Sequence, residues 1–369
     1  METKRKYFDY SLLTIVIFLM CFGLVMLYSA SSYSAQMSYL IRQAVFCAVG
    51  FVGMLIVAKI DYHWFAKVAG LAYVVAFILM ALVLTPLGKS VNGARRWLRL
   101  PFDQSMQPSE IMKLAIVIFI PLLLCKAGKL LKDKNTIWKI FLWGVAAAAG
   151  VYILTDNLST AVIVLGIACI MIFVAHPKTA FWIALAAGGL VAIGAGVRIL
   201  DAVMDTSESF RLRRILVWLH PEEYLSDGGY QVMQGLYAIG SGGFFGKGLG
   251  NSAQKIVIPE AQNDMILAVL CEELGVFGVI VLLTMFGILL YRLMFIAQNA
   301  PDMYGSLMVT GVFAHIALQV ILNVAVVLNV IPTTGITLPF VSYGGTSTLF
   351  LMAEMGIALS VSNRIEFDE

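Results

Sequence analysis

Four places in the chain carry side chains able to do chemistry in unusual surroundings. Asp264 ends the run Ile258-Pro259-Glu260-Ala261-Gln262-Asn263-Asp264, which leads straight into an apolar stretch. An aspartate at such a mouth is a candidate general base, because partial dehydration raises its pKa. The structural alternative is that Asn263 or Asp264 caps the helix that follows. Glu110 and Lys113 are three residues apart on one helix face, in a segment opening Gln107-Pro108-Ser109. They read as an interfacial ion pair or as a lysine available to a substrate phosphate. Glu272 and Glu273 lie about two turns beyond Asp264 within apolar sequence. A carboxylate at that depth faces the bundle interior or a wet cavity.

The fourth place is the run from Ile239 to Gly250, which holds Ser241 and Lys247 among its glycines. Glycine lets backbone amides approach an anion closely. A phosphate-binding loop fails here, however, because Ser241 stands where its first glycine belongs and Gly248 replaces the hydroxyl residue. A tight loop that needs glycine for its own turns is the plainer reading. Gln234 lies just ahead of this run, on Tyr230-Gln231-Val232-Met233-Gln234. Five cysteines sit in or beside apolar runs without a C-x-x-C pair, and four histidines lack ligand spacing. No metal site built by the protein is expected.

The elements that must position these groups are membrane helices. Of the 369 residues, 60% are hydrophobic and 13% charged. Soluble domains carry about 25% charged residues, so this surface is not one that faces water. A net charge of +3 is too small to argue for nucleic acid. Apolar stretches suited to crossing a bilayer fall at 11–30, 45–60, 65–84, 110–125, 137–154, 158–175, 181–199, 265–292, 303–328 and 343–362. The fold expected is an all-α integral membrane protein of about ten spans, with 1–369 one polytopic domain. The fourth span is short and the eighth long, which implies tilt or a broken end. The first span has signal-peptide flanks but too long an apolar stretch, so it is expected to stay as a helix.

Lys4, Arg5 and Lys6, and the lysines at 126, 129, 132 and 134, place both termini in the cytoplasm. The one long outer loop, about 200–264, then joins spans seven and eight. Loop 85–109 is also outside, yet it carries Lys89, Arg95, Arg96 and Arg99 against Asp103. These cations either bind an anion at the outer face or are simply solvated.

Six motifs occur in order along the chain. They are Asn92-Gly93-Ala94-Arg95-Arg96-Trp97, Gln107-Pro108-Ser109-Glu110, the glycine run, Pro259-Glu260-Ala261, Glu272-Glu273-Leu274-Gly275 and Ser342-Tyr343-Gly344-Gly345-Thr346-Ser347. In these the chain resembles the shape, elongation, division and sporulation (SEDS) family, FtsW- and RodA-like proteins, over nearly its whole length. Gly248-Leu249-Gly250-Asn251-Ser252 looks more like the FtsW branch. The resemblance implies a glycosyltransferase that polymerises lipid II by inverting transfer at the outer face of the bacterial cytoplasmic membrane, in division or sporulation. A class B penicillin-binding protein transpeptidase and other division-complex membrane proteins would be its partners. It places the essential acid at Asp264. Substrate contacts are expected at Glu110, Lys113, Arg96, Trp97, Gln234, Ser241, Lys247, Ser342, Tyr343 and Ser347. Cations, with Lys113 and Arg96 foremost, would stabilise the leaving pyrophosphate. A divalent cation such as Mg2+ can assist there, though no carboxylate cluster demands one. The chain departs from the family at Gln262-Asn263, where His-Thr is usual, and at Asp156-Asn157, where Pro-Asp is usual. A lipid II flippase and a non-catalytic scaffold are the alternatives.

Overall fold

The computed structural model describes residues 5–31, 36–91, 94–99, 104–176 and 210–367. Helices α1 (Tyr10–Ala30), α2 (Gln36–Lys59), α3 (Tyr62–Leu82), α4 (Pro108–Ala127), α5 (Lys134–Thr155) and α6 (Leu158–Ala175) come first. Two shorter helices follow, α7 (Phe210–Leu219) and α8 (Gly229–Gly242), then α9 (Ile266–Asn299), α10 (Met303–Val327) and α11 (Thr346–Ser362). All but α7, α8 and the shorter α11 are long and apolar enough to cross a membrane. Together with α11 they account for every expected span except 181–199, which lies outside the described residues.

Side-chain oxygens start most of the long helices. Asp9 accepts from the Leu12 amide, Asp61 from His63, Asp133 from Thr136, Asn157 from Thr160 and Asp302 from Gly305. Each satisfies an amide that the helix itself leaves open. The lipid-facing side of a helix is a stripe of exposed apolar residues, as at Val45, Val49, Val52 and Ile56 on α2. Its opposite side buries Cys47, Met54 and Ala58. There α2 meets α11 closely: a Cβ at Gly356 would lie 2.7 Å from the Met54 carbonyl. Small residues at a crossing let two backbones approach in this way.

The bounds of two expected spans are revised. Helix α2 begins at Gln36 rather than at 45, because polar residues at its outer end pack inward: Gln43 donates to Thr348 Oγ1 and accepts from the Gly344 and Gly345 amides. Helix α4 is 20 residues long, so it is not short. Helix α9 is broken, as its length implied, at Gly275 with φ 71° and ψ −172°. The structure is mainly helical but not wholly so. Loop 85–109 holds an antiparallel sheet of β2 (Gly88–Val91), β3 (Ala94–Arg99) and β4 (Ser105–Met106), with Lys89 opposite Trp97 and Leu98 opposite Met106.

The two ends of the chain pair with each other. Strand β1 (Arg5–Tyr7) runs antiparallel to β5 (Ile365–Phe367), with Tyr7 opposite Ile365. Residues 5–7 and 365–367 therefore lie on one side of the bundle. Beside them Arg292 of α9 holds buried Asp9 at 2.7 Å and also donates to the Tyr7 hydroxyl. Helix α1 is thus packed into the bundle, with Leu12, Val16, Leu19 and Met26 all 0% exposed.

Candidate functional site: an aspartate at the mouth of a broken helix

The break in α9 organises the end of the bundle away from Arg292 and the paired strands. At Gly275 the helix stops bonding to itself, which frees carbonyls on one side and amides on the other. The glycine run fills that gap. Lys247 and Gly248 amides donate to the Glu272 and Glu273 carbonyls at 2.9 Å each. In return the Val276 and Phe277 amides donate to the Gly243 and Phe244 carbonyls at 3.1 and 3.0 Å. Glycine is required at both strands of this contact. Gly275 and Gly246 have φ of 71° and 76°, and a Cβ on either would lie within 2.3 Å of a backbone oxygen across the gap.

The two buried glutamates lock the same loop. Glu272 accepts from Lys247 Nζ at 2.6 Å, from Ser241, Ser252 and the Gln254 amide. Glu273 accepts from Ser29 of α1 at 2.6 Å and lies 3.6 Å from Lys255 Nζ. Both are 0% exposed. The structure gives these acids a loop-anchoring role that the sequence left open. It also places Ser241 and Lys247, expected on substrate, on the Glu272 carboxylate.

Beyond this loop the chain turns at Glu260, whose φ is 53°, and enters α9. The helix starts at Ile266 with Met265 as a bare cap. Asn263 and Asp264 therefore do not cap it. Asn263 instead donates to Glu260 Oε2 at 2.6 Å. Asp264 Oδ1 accepts from Gln231 Nε2 of α8 at 3.3 Å, and the Asp264 carbonyl accepts from Asn323 of α10 at 2.9 Å. The same Asn323 nitrogen donates to the Ile336 carbonyl at 2.7 Å, which ties Asp264 to the loop between α10 and α11. Gly335 of that loop, at φ 68°, passes close to the carboxylate. Burial pushes the Asp264 carboxyl up to about 6, with nearby Glu260 adding to the rise; its own amide, Gln231 and Arg214 oppose it. A carboxylate so placed is still mostly ionised at pH 7 yet basic enough to take a proton.

Loops from several helices meet around it. Tyr343 donates its amide to the Gln262 carbonyl at 2.9 Å, and Ser159 of α6 donates to the Thr334 carbonyl at 2.9 Å. Arg214 of α7 donates to the Thr333 carbonyl at 3.5 Å. Arg96 Nη2 donates to the Asp156 carbonyl at 2.9 Å, at the C-terminal end of α5 where the helix dipole favours a cation. The half-buried Trp97 follows it on β3. Ser342 accepts from the Leu338 amide and Ser347 donates to the Gly344 carbonyl, so both hydroxyls close their own loop. Tyr343 packs edge-on against Tyr39 of α2 at 4.9 Å and takes a hydrogen bond from Arg42. Lys113 and Glu110 form a buried pair at 2.8 Å near the outer end of α4.

Sequence reasoning did not single out Gln231, Asn323, Arg214 or Arg42. Gln231 shares a helix face with Gln234, three residues on, and it is Gln231 that touches Asp264. Among the described residues no three His, Cys, Asp or Glu side chains are arranged to hold a metal ion.

Comparison with known proteins gives this architecture a context. The FtsW, RodA and SpoVE family, described as cell cycle proteins, matches residues 10–366. Stage V sporulation protein E of Bacillus subtilis is 38% identical, over 98% of this chain and 99% of that protein. A probable peptidoglycan glycosyltransferase FtsW of Trichlorobacter lovleyi is 37% identical, over 98% of this chain and 96% of its own. Among solved structures, a chain of a peptidoglycan synthase complex that coordinates polymerization and crosslinking aligns at TM-score 0.77 with 27% identity, over 97% of this chain and 98% of its own. The rod shape determining protein RodA of Thermus thermophilus aligns at TM-score 0.68 with 25% identity, over 97% of each chain. With a family match across nearly its whole length and relatives this similar, the chain belongs to the FtsW, RodA and SpoVE family of cell cycle proteins.

Proposed function

We propose that this multi-pass protein of the bacterial cytoplasmic membrane is a peptidoglycan glycosyltransferase. It polymerises lipid II into glycan strands at the outer face, in division or sporulation. The observation that carries the reading is Asp264: free of a capping role, raised by burial to about 6, and held between α8, α10 and the loop after α10. Asp264 takes the proton of the acceptor GlcNAc 4-hydroxyl. The hydroxyl oxygen then bonds to the anomeric carbon of the donor MurNAc, and the bond from that carbon to the pyrophosphate breaks. Arg214, whose charge acts on the Asp264 carboxyl, and Arg96, at the C-terminal end of α5, stabilise the charge on the leaving pyrophosphate. Lys113, held by Glu110, is available when that pair opens. A class B penicillin-binding protein crosslinks the product.

Gel-resolved polymerisation of purified lipid II tests this, with and without such a partner. Wild type should give long glycan chains. Asp264→Ala should lose about 10²- to 10⁴-fold in rate, the usual contribution of a general base. Full activity in well-folded Asp264→Ala protein would remove Asp264 from the mechanism. Transport of labelled lipid II without polymer would favour a flippase.

A further inference from the structure

On α10, His315, Gln319 and Asn323 recur every fourth residue and share one face. The face is buried, with exposures of 1%, 5% and 0%. Its outer end is the Asp264 pocket, where Asn323 donates to the Asp264 carbonyl. One turn inward, Gln319 donates to the Thr337 carbonyl at 3.0 Å. One further turn in, near the middle of the helix, His315 Nδ1 lies 2.7 Å from Glu354 Oε2 of α11. At 1.5 Å per residue the stripe is about 12 Å long.

Each member leaves one buried polar atom without a hydrogen-bond partner among the described residues: Asn323 Oδ1, Gln319 Oε1, His315 Nε2 and Glu354 Oε1. Thr334 Oγ1 joins them, on the loop that Gln319 and Asn323 hold. Orphaned polar atoms at this depth are costly, so a row of them implies a common ligand. Amide and carboxylate oxygens only accept, so the ligand must donate, and it must fit between packed helices. Water meets both conditions. About four molecules at ordinary hydrogen-bond spacing span the stripe.

The inner end points the same way: His315 Nδ1 and Glu354 Oε2 share a hydrogen-bonded hydrogen, which water can exchange. Toward the opposite side the same face continues with Gly311 and Leu307, which offer no polar side chain. Among the described residues the row of unpartnered atoms ends there.

We propose that this stripe binds a file of internal waters that is open to the Asp264 pocket and closed near mid-membrane. At its inner end the hydrogen between His315 Nδ1 and Glu354 Oε2 exchanges with the pocket along the file.

The test is infrared spectroscopy of the full-length protein in lipid nanodiscs. A wild-type minus Glu354→Gln difference spectrum isolates the bands of the pair, and His315→Phe gives a second, independent difference. On mixing with D2O the pair's bands should shift within seconds, while membrane-helix amides take minutes to hours. Gln319→Leu should slow the shift at least tenfold. Bands that shift only with the helix amides, or a Gln319→Leu protein that exchanges as fast as wild type, would overturn the file. Asp264→Asn protein should keep the fast shift even with polymerisation lost, so failure of the base assignment and failure of the file are read separately.

Discussion

Asp264→Asn should make the protein inactive and, at neutral pH, more stable. Burial raises the Asp264 carboxyl from 3.8 to about 6. A carboxyl whose pKa is higher folded than unfolded favours the fold while protonated, and loses that advantage as pH rises from about 4 through about 6. At pH 7.5 the ionised group therefore costs about 3 kcal/mol, taking about 1.4 kcal/mol for each unit of a two-unit shift. Asparagine is uncharged at every pH and still offers an oxygen to Gln231. Thermal unfolding in detergent, followed by tryptophan fluorescence, reads the difference. At pH 7.5 the variant should melt several degrees higher than wild type. Near pH 4 the gap should shrink toward zero, because the wild-type carboxyl is then protonated too. Polymerisation of lipid II by the variant should be lost at both values. A gain of the same size at both pH values, or no gain at all, would refute the claim that Asp264 is held dehydrated and ready to take a proton.

Wild-type polymerisation should fall about tenfold for each pH unit below 6, since the base must be ionised to act; initial rates between pH 4.5 and 8 check this. Gln231→Leu removes a donor that holds the Asp264 pKa down, so this acid limb should move to higher pH while folding yield is kept. Gly275→Ala puts a Cβ 2.3 Å from the Phe244 carbonyl at a positive φ and should abolish folded protein on size-exclusion chromatography, whereas Gly53→Ala, with nothing within 4 Å, should not. Glu272→Ala strands Lys247, Ser252 and the Gln254 amide, and should cost about 3–5 kcal/mol, as other broken buried charge networks do; the same chromatography after mild heating measures it.

The spans were legible because lipid imposes a length and a polarity on anything that crosses it. That rule reads runs, and it failed where the chain departs from runs. The outer end of α2 looked too polar for a helix, since Gln43 is only acceptable once Thr348 and the Gly344 turn arrive to meet it. The small outer sheet was hidden because Lys89, Arg95 and Arg99 do not resemble strand residues. A glycine inside an apolar segment gives no local hint that the helix breaks there; at Gly275 the bonds that permit the break come from residues 243–248. Asp264 illustrates the limit best. Local rules made it a helix cap, and only its bare neighbour Met265 and the distant Gln231 and Asn323 show otherwise. The resemblance to a family pointed at Asp264, but the amides that hold it come from helices far apart in sequence.

The clasp between the chain's two ends bears on how the protein is made. Residues 5–7 are made before helices α1 to α11, yet their partner, residues 365–367, appears only when α11 has been translated. Through the whole of membrane insertion that first strand waits unpaired, with Asp9 beside it and Arg292 arriving late. The clasp can therefore close only once α11 has been made, and a chain cut before α11 leaves residues 5–7 without their partner strand.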